Sequence, residues 1–177
     1  MENHDLPLEN REALLDALRA GKGAGARIPN LDLSGCDLSG ADLSRARLSG
    51  ANLSHAILRV AHLSGAFLDG ADLREADLSE ANLEFAVLGA ADLSEATLRG
   101  ANLQRANLVG TKGHGADFQG ARMYYSRPGN ADFQGASFRG ADIQRAIFRR
   151  ANLSGADLTG ATGSANFERA NLDGVIR

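Results

Sequence analysis

The sequence predicts an all-β solenoid, a chain wound into a stacked four-sided coil, with one short α-helix at its N-terminal end. Three observations predict it. An apolar residue recurs at every fifth position from Ile28 to Leu158, interrupted at Gly113 and Pro128. A small residue, nearly always alanine, stands two positions before it, as at Ala41, Ala46 and Ala51. The remaining three positions are mostly Asp, Asn, Ser, Arg, Glu, Gln or Gly.

A period of five fits neither the 3.6 of a helix nor the 2.0 of a strand. The chain must instead turn once every five residues. A right angle per turn closes a square coil in four such steps, with the central Leu or Phe pointing inward each time. The alanine also points inward, where nothing larger fits. Coils stacked at strand spacing, about 4.8 Å apart, pair their backbones. Residues 20 apart then lie above one another, so Leu38, Leu58, Leu78 and Leu98 form one ladder. Residues 26–163 make nearly seven coils.

Composition agrees. The 177 residues are one domain's worth. Aromatics are 5% with no Trp, which points to a narrow core of Leu and Ala. There are 21 Gly but only 3 Pro, unlike a flexible linker. With 19 basic and 22 acidic residues the net charge is -3, so charge alone predicts neither nucleic acid nor an anionic membrane as partner. A single cysteine, Cys36, excludes an intrachain disulfide. MENHDLPLEN has no basic or apolar targeting pattern, and no apolar run is long enough to span a bilayer. A cytoplasmic protein without membrane or direct nucleic-acid contact is expected.

The repeat unit is A-(D/N)-L-x-x: ADLSR at 41–45, ANLSH at 51–55, ADLRE at 71–75, ANLQR at 101–105, ADIQR at 141–145 and ADLTG at 156–160. It resembles the pentapeptide-repeat family, from about residue 26 to 177. The resemblance implies a right-handed quadrilateral β-helix; the period alone does not give the hand. The chain is therefore divided into a segment 1–25 carrying a capping helix and a β-helix 26–177. In the first segment Asn10 is the expected N-cap of a helix over 11–20, with Gly21 as its stop. Leu14, Leu15 and Leu18 share one face. That face is expected to cover the open end of the solenoid, and residues 21–25 to form the hinge into the first coil. A free helix that binds a partner is the alternative.

The repeat breaks at three places. In TKGHG (111–115) the inward position is Gly113, which leaves a Leu-sized plug missing. In SRPGN (126–130) it is Pro128, which has no N–H for the ladder. In ATGSANF (161–167) one residue is lost, and the centre moves to Phe167 and Leu172. Local bulges or loops are expected at the first two. Lys112, His114, Tyr124, Tyr125 and Arg127 are expected to cluster there, either as a binding patch or as an irregularity with Tyr125 stacked between Arg105 and Arg145.

No chemistry-bearing motif accompanies the repeat. The many aspartates precede the central Leu by one residue, so their spacing comes from the repeat; turn hydrogen bonding and solubility account for them. Histidines 4, 55, 62 and 114 have no ligand-like spacing. Cys36 fills a slot usually held by alanine. No enzyme, catalytic residue, cofactor or metal is expected. The surface carries more. Asp32, Asp72, Asp92 and Asp132 share one face, and Asp37, Asp77, Asp117 and Asp157 the next. Arg45, Arg105, Arg122, Arg127, Arg145, Arg149 and Arg150 fall on the opposite side. These are either solvated faces or an electrostatic docking surface. Phe67, Phe85 and Val87 break the polar outside as an apolar docking patch. The last coil leaves Phe167, Leu172, Val175 and Ile176 partly exposed, the expected seat of a tail-to-tail homodimer or a partner.

The expected function is a non-enzymatic scaffold, a rigid rod presenting its surface to a protein partner. The family resemblance implies an alternative: a DNA mimic that binds DNA gyrase or topoisomerase IV and protects against fluoroquinolones or toxins, with Asp72 and Asp92 on its acidic face. Two departures weigh against it: no helical segment follows Ile176, and the charge is modest. An adaptor in a bacterial secretion or signalling system is a further alternative.

Overall fold

The computed structural model of the chain describes residues 6–177; residues 1–5, with His4 and the start of the segment 1–25, lie outside the described residues. Parallel bridges join each residue before the central position to its counterpart 20 residues on: Asp32 to Asn52, Asn52 to Asp72, Asp72 to Asp92, Asp92 to Lys112. Four pentads therefore make one coil. The faces are numbered in chain order: face 1 from 31–35, face 2 from 36–40, face 3 from 41–45 and face 4 from 46–50, each recurring every 20 residues. Faces 1 and 3 are opposite, as are faces 2 and 4.

The backbone explains the unit of five. Within the pentad 71–75, Asp72 N–H donates to Ala51 O of the preceding coil; Leu73 and Glu75 N–H donate to Asp92 O and Ser94 O of the next. The corner closes with Ala76 N–H donating to Leu73 O at 3.1 Å. One donor remains, Arg74 N–H, and the Asp72 carboxylate accepts it at 3.1 Å. All five amide donors are then satisfied, as buried or ladder-forming backbone requires. The same bond recurs wherever Asp or Asn holds this position, for example Ser54 N–H to Asn52 Oδ1 at 3.1 Å. The last residue of each pentad takes the left-handed conformation that turns the corner. Glycine fits it without strain, as at Gly40 (φ 67°), but Val60 (φ 57°) and Phe85 (φ 59°) adopt it too.

The core is the predicted double ladder of Leu and Ala; Leu33 through Leu108, Phe118, Phe133, Phe138 and Phe148 are all fully buried. Cys36 is buried among them in an alanine slot. Neither repeat break forms a bulge. At Gly113 the path and the bridges from Asp92 through Lys112 to Asp132 continue, and the ring of Phe133, one coil on, fills the missing volume. At Pro128 the coil also holds its path, but one rung is lost. The column Arg47–Phe67–Val87–Asn107–Arg127 is continuous, and Ile147–Asn166 resumes it, with no bridge between Arg127 and Ile147. Proline cannot donate to the Ile147 carbonyl. From Asn166 the ladder spacing becomes 19, as the lost residue requires.

The N-terminal helix is shorter than expected. α1 spans Arg11–Ala17, and Leu18–Lys22 continues as a wider π-type turn in which Gly21 (φ 82°) breaks the helical conformation. Asn10 caps it, its side chain accepting from Ala13 N–H at 3.1 Å. Leu14 and Leu18 are buried in the same cluster as the coil leucines. The wider turn lowers Leu18 onto Gly23 and Leu43: a Cβ at Gly23 would lie 2.7 Å from Leu43 Cδ2 and 3.2 Å from Leu18 Cδ2. Arg11 and Arg19 reach the first coil at Ser34 O and Asp37 O. The helix thus caps the rod.

Candidate interaction surface

The four faces differ in how far they keep the Asp/Asn rule. Face 1 departs from it in one of its coils, at Lys112. Face 4 holds Arg27, Arg47, Phe67, Val87, Arg127 and Ile147 at this position, and only Asn107 and, past the lost residue, Asn166 retain the side-chain bond, to Val109 N–H at 3.2 Å and Glu168 N–H at 2.8 Å. Each departure gives up a hydrogen bond of net worth about 0.5–1.5 kcal/mol. In its place face 4 exposes apolar and cationic groups.

Phe67 is 41% exposed and stacked directly on Val87 by a ladder bridge. Phe85, 49% exposed, sits at the corner between faces 3 and 4. The structure therefore brings Phe67, Phe85 and Val87 together. It adds Val109 and Ile147, both exposed on face 4, which the sequence pattern did not single out. Their signal was available: each is an apolar residue at an outward position. Arginines lie against the rings. The Arg47 guanidinium is 5.7 Å from the Phe67 centroid and that of Arg105 is 5.3 Å from Phe85.

The patch expected around the repeat breaks divides instead. Lys112 and His114 are on face 1, Tyr124 and Tyr125 on the opposite face 3, and Arg127 on face 4; the whole of the intervening pentad, 116–120 on face 2, separates the first pair from the second. His114 meets Asp132 at 3.1 Å. Tyr125 is covered on one side by Arg145, 5.0 Å from its centroid and hydrogen-bonded to its hydroxyl, and meets Tyr124 edge to face. Arg105 turns the other way, onto Phe85, so Tyr125 is not sandwiched between two arginines.

The acidic columns stand where the 20-residue register places them, but face 2 is neutralised from within. Arg59, Arg99 and Arg139 reach Asp77, Asp117 and Asp157 of the following coil at 3.2, 2.5 and 2.7 Å. The Thr159 side chain and N–H, then Arg139, hold the Asp157 carboxyl down at about 2. On face 1, Arg74 grips Asp72 through two hydrogen bonds of 2.9 and 2.6 Å; that Arg74 contact is the largest cause of the lowered Asp72 pKa. Asp92 is held by Ser94 at 2.6 Å and has no ion-pair partner among the described residues. At the far end, Phe167 stacks on Phe148 while remaining part-exposed, as do Leu172 and Val175; Ile176 is 56% exposed.

Among the described residues no group of His, Cys, Asp or Glu is arranged to hold a metal ion, and no helix is long and apolar enough to cross a membrane. Fold and surface together define a non-globular solenoid with chemistry spread along its faces. The chain belongs to the pentapeptide-repeat family, whose profile matches residues 25–59, 56–94, 91–124 and 129–162. Proteins of this family are generally structural or interaction modules. No curated protein matches the sequence. Among solved structures it is similar to HetL, a pentapeptide repeat protein involved in heterocyst differentiation regulation from the cyanobacterium Nostoc sp. strain PCC 7120. Identity there is 32% over 94% of this chain and 96% of that one, with a TM-score of 0.27. It is similar to QnrB1, a plasmid-mediated fluoroquinolone resistance protein, at 25% identity over 88% and 84% of the two chains and a TM-score of 0.46. A pentapeptide repeat protein from the Arabidopsis thaliana thylakoid lumen shares 32% over 73% and 72%, with a TM-score of 0.34.

Proposed function

We propose that this protein is a non-enzymatic interaction module that docks a protein partner on the edge between faces 3 and 4, through Phe67, Phe85 and Val87. The observation that carries this reading is the loss of the Asp/Asn side-chain bond in most coils of face 4 and its replacement by exposed apolar and arginine side chains. A neutral spacer face has no use for that exchange, which costs local hydrogen bonds and exposes rings to water. Aromatic and arginine side chains together are the groups that concentrate binding energy at protein interfaces. The partner surface is apolar with acidic neighbours, complementary to Arg47 and Arg105.

The acidic face supports the second reading, a DNA mimic directed at gyrase or topoisomerase IV, through Asp92 and the unpaired part of face 1. The internal ion pairs of face 2 weigh against it, because a DNA mimic needs uncompensated anions on adjoining faces. We further assign the part-exposed apolar side chains of Phe167, Leu172, Val175 and Ile176 to tail-to-tail pairing of two copies.

One experiment separates the two surfaces. The wild type, a Phe67→Asp/Phe85→Asp variant and an Asp72→Lys/Asp92→Lys variant are immobilised and exposed to extract of the source organism, with bound proteins quantified by mass spectrometry. A partner lost only with the aromatic variant supports docking on faces 3 and 4. A partner lost only with the acidic variant, together with wild-type inhibition of gyrase supercoiling, overturns that reading in favour of the mimic.

A further inference from the structure

We propose that the recess opened by the missing rung at Pro128 is a binding site for a phosphate monoester. It lies on face 4 as an open recess of about 210 Å³ lined by Arg127, Arg149 and Arg150 together with Val109 and Ile147.

The recess follows from the chain. Pro128 has no N–H to give to Ile147 O, and no bridge joins Arg127 to Ile147 among the described residues. On the same stretch Gly129 removes a side chain that would otherwise stand over the gap, since a Cβ there would lie 3.4 Å from Arg149 O. Arg127 holds the position that elsewhere carries Asp or Asn, so Gly129 N–H has no acceptor among the described residues. A backbone N–H without an acceptor and three arginines therefore border one small concavity.

Charge decides the ligand class. Arg149 is offset by Glu168 at 3.5 Å. Arg127 and Arg150 have no carboxylate partner among the described residues, which leaves two positive charges. A phosphate monoester carries about −1.5 to −2 at neutral pH and offers three acceptor oxygens; a carboxylate offers half that charge. Guanidinium forks match phosphate oxygens two at a time. Val109 and Ile147 offer apolar contact to the organic stem of the ester. The stem belongs either to a small metabolite-sized ester or to a phosphorylated side chain of a partner; the chemistry recognised is the same. The site shares face 4 with the docking edge, Val109 standing one coil beyond Val87, but Arg127 and Arg150 are not residues of that edge, and its test requires no protein partner.

The test is calorimetric titration of the full chain at low ionic strength, where exposed charges are least screened. The probes are phenyl phosphate, benzoate and a short phosphotyrosine peptide. Phenyl phosphate is expected to bind, and to bind at least about tenfold more tightly than benzoate. Arg127→Gln and Arg150→Gln are each expected to weaken it by about tenfold or more, the worth of one charge-assisted hydrogen bond. Arg122→Gln, on face 3, is expected to leave it unchanged, with circular dichroism reporting an intact fold in all three. Tighter binding of the phosphopeptide assigns the ester to a partner chain; equal binding assigns it to a small ester. Benzoate binding as well as phenyl phosphate, no binding of either, or equal losses with Arg122→Gln would each overturn the proposal.

Discussion

The ring of Phe133 occupies the space that Gly113 leaves empty: a Cβ at Gly113 would lie 2.5 Å from Phe133 Cδ1 and 2.6 Å from Cε1. The two residues are inward neighbours one coil apart on face 1, so one coil's missing plug is supplied by an oversized plug in the next. Phe133 in turn packs edge to face on Phe118, Phe138 and Phe148. The aromatic residues of the core are concentrated beside the two coil positions that lack a large side chain.

That relationship predicts coupling. Gly113→Leu alone forces an overpacked core and is expected to destabilise by about 1–3 kcal/mol. Phe133→Leu alone leaves a void and also destabilises. Combined, the two restore the ordinary repeat, and the pair is expected to recover about 1–3 kcal/mol relative to the sum of the single changes. Urea denaturation of the four proteins in a double-mutant cycle measures it; strict additivity would show that the ring does not fill the glycine's space.

Val60 holds a left-handed corner with a β-branched side chain, 52% exposed. Left-handed backbone costs an L-residue about 1–2 kcal/mol, part of which glycine returns as chain entropy in the unfolded state. Val60→Gly is expected to stabilise the fold by about 0.5–1 kcal/mol, read as a raised denaturation midpoint. A lowered midpoint would mean that the Val60 side chain contributes packing greater than its strain.

Acid should weaken the rod in a defined window. The Asp157 carboxyl is more acidic in the fold, about 2, than its ordinary value of 3.8, and the Thr159 side chain, Thr159 N–H and Arg139 are the causes. Asp32, Asp37 and Asp42 shift the same way, chiefly through Ser34, Ser39 and Ser44. Because the folded value is depressed, the ionised carboxylates stabilise fully above the ordinary value, and that contribution is lost as pH falls through the folded one. Denaturation midpoints should fall between about pH 4 and about pH 2. Asp157→Asn keeps the oxygen that accepts from Thr159 N–H, and should make this fall shallower; an unchanged slope would remove Asp157 from the account.

Leu18 is fully buried against the end of the coil. Leu18→Ala is expected to cost about 2–5 kcal/mol, the range for a buried leucine whose cavity only partly closes. A loss well under 1 kcal/mol would mean that the helix rests on the rod without holding it.

Exposed Ile176, beside part-exposed Phe167, Leu172 and Val175, predicts self-association. Sedimentation at micromolar concentration should show a dimer, and Ile176→Asp should return it to a monomer with the far-ultraviolet spectrum unchanged. A wild-type monomer throughout would leave that end to another partner.

Particular residues show how far the sequence was legible. The 20-residue coil, the Asp32–Asp72–Asp92 column and the pairing of Phe67 with Val87 could be read directly, because each pentad repeats one local rule and stacking follows by counting. The cap was legible as Asn10 and the leucine face, though not the π-type turn that lowers Leu18 onto Leu43. Arg59, Arg99 and Arg139 were legible as residues but not as the partners that neutralise face 2. A flexible arginine reaches several neighbours, and only the stacked coil shows that the Asp of the next coil is nearest. Lys112 and Tyr125 were close in sequence and proved to lie on opposite faces, since ten residues are half a coil.

The sequence by itself determined the coil, its register and its core, because hydrogen-bond accounting and inward volume act within five residues and repeat. The tertiary structure decided which charges cancel, how Phe133 fills the space at Gly113, and that Pro128 opens a recess lined by arginines. These depend on side chains reaching between coils, where distance is set by stacking and not by order along the chain.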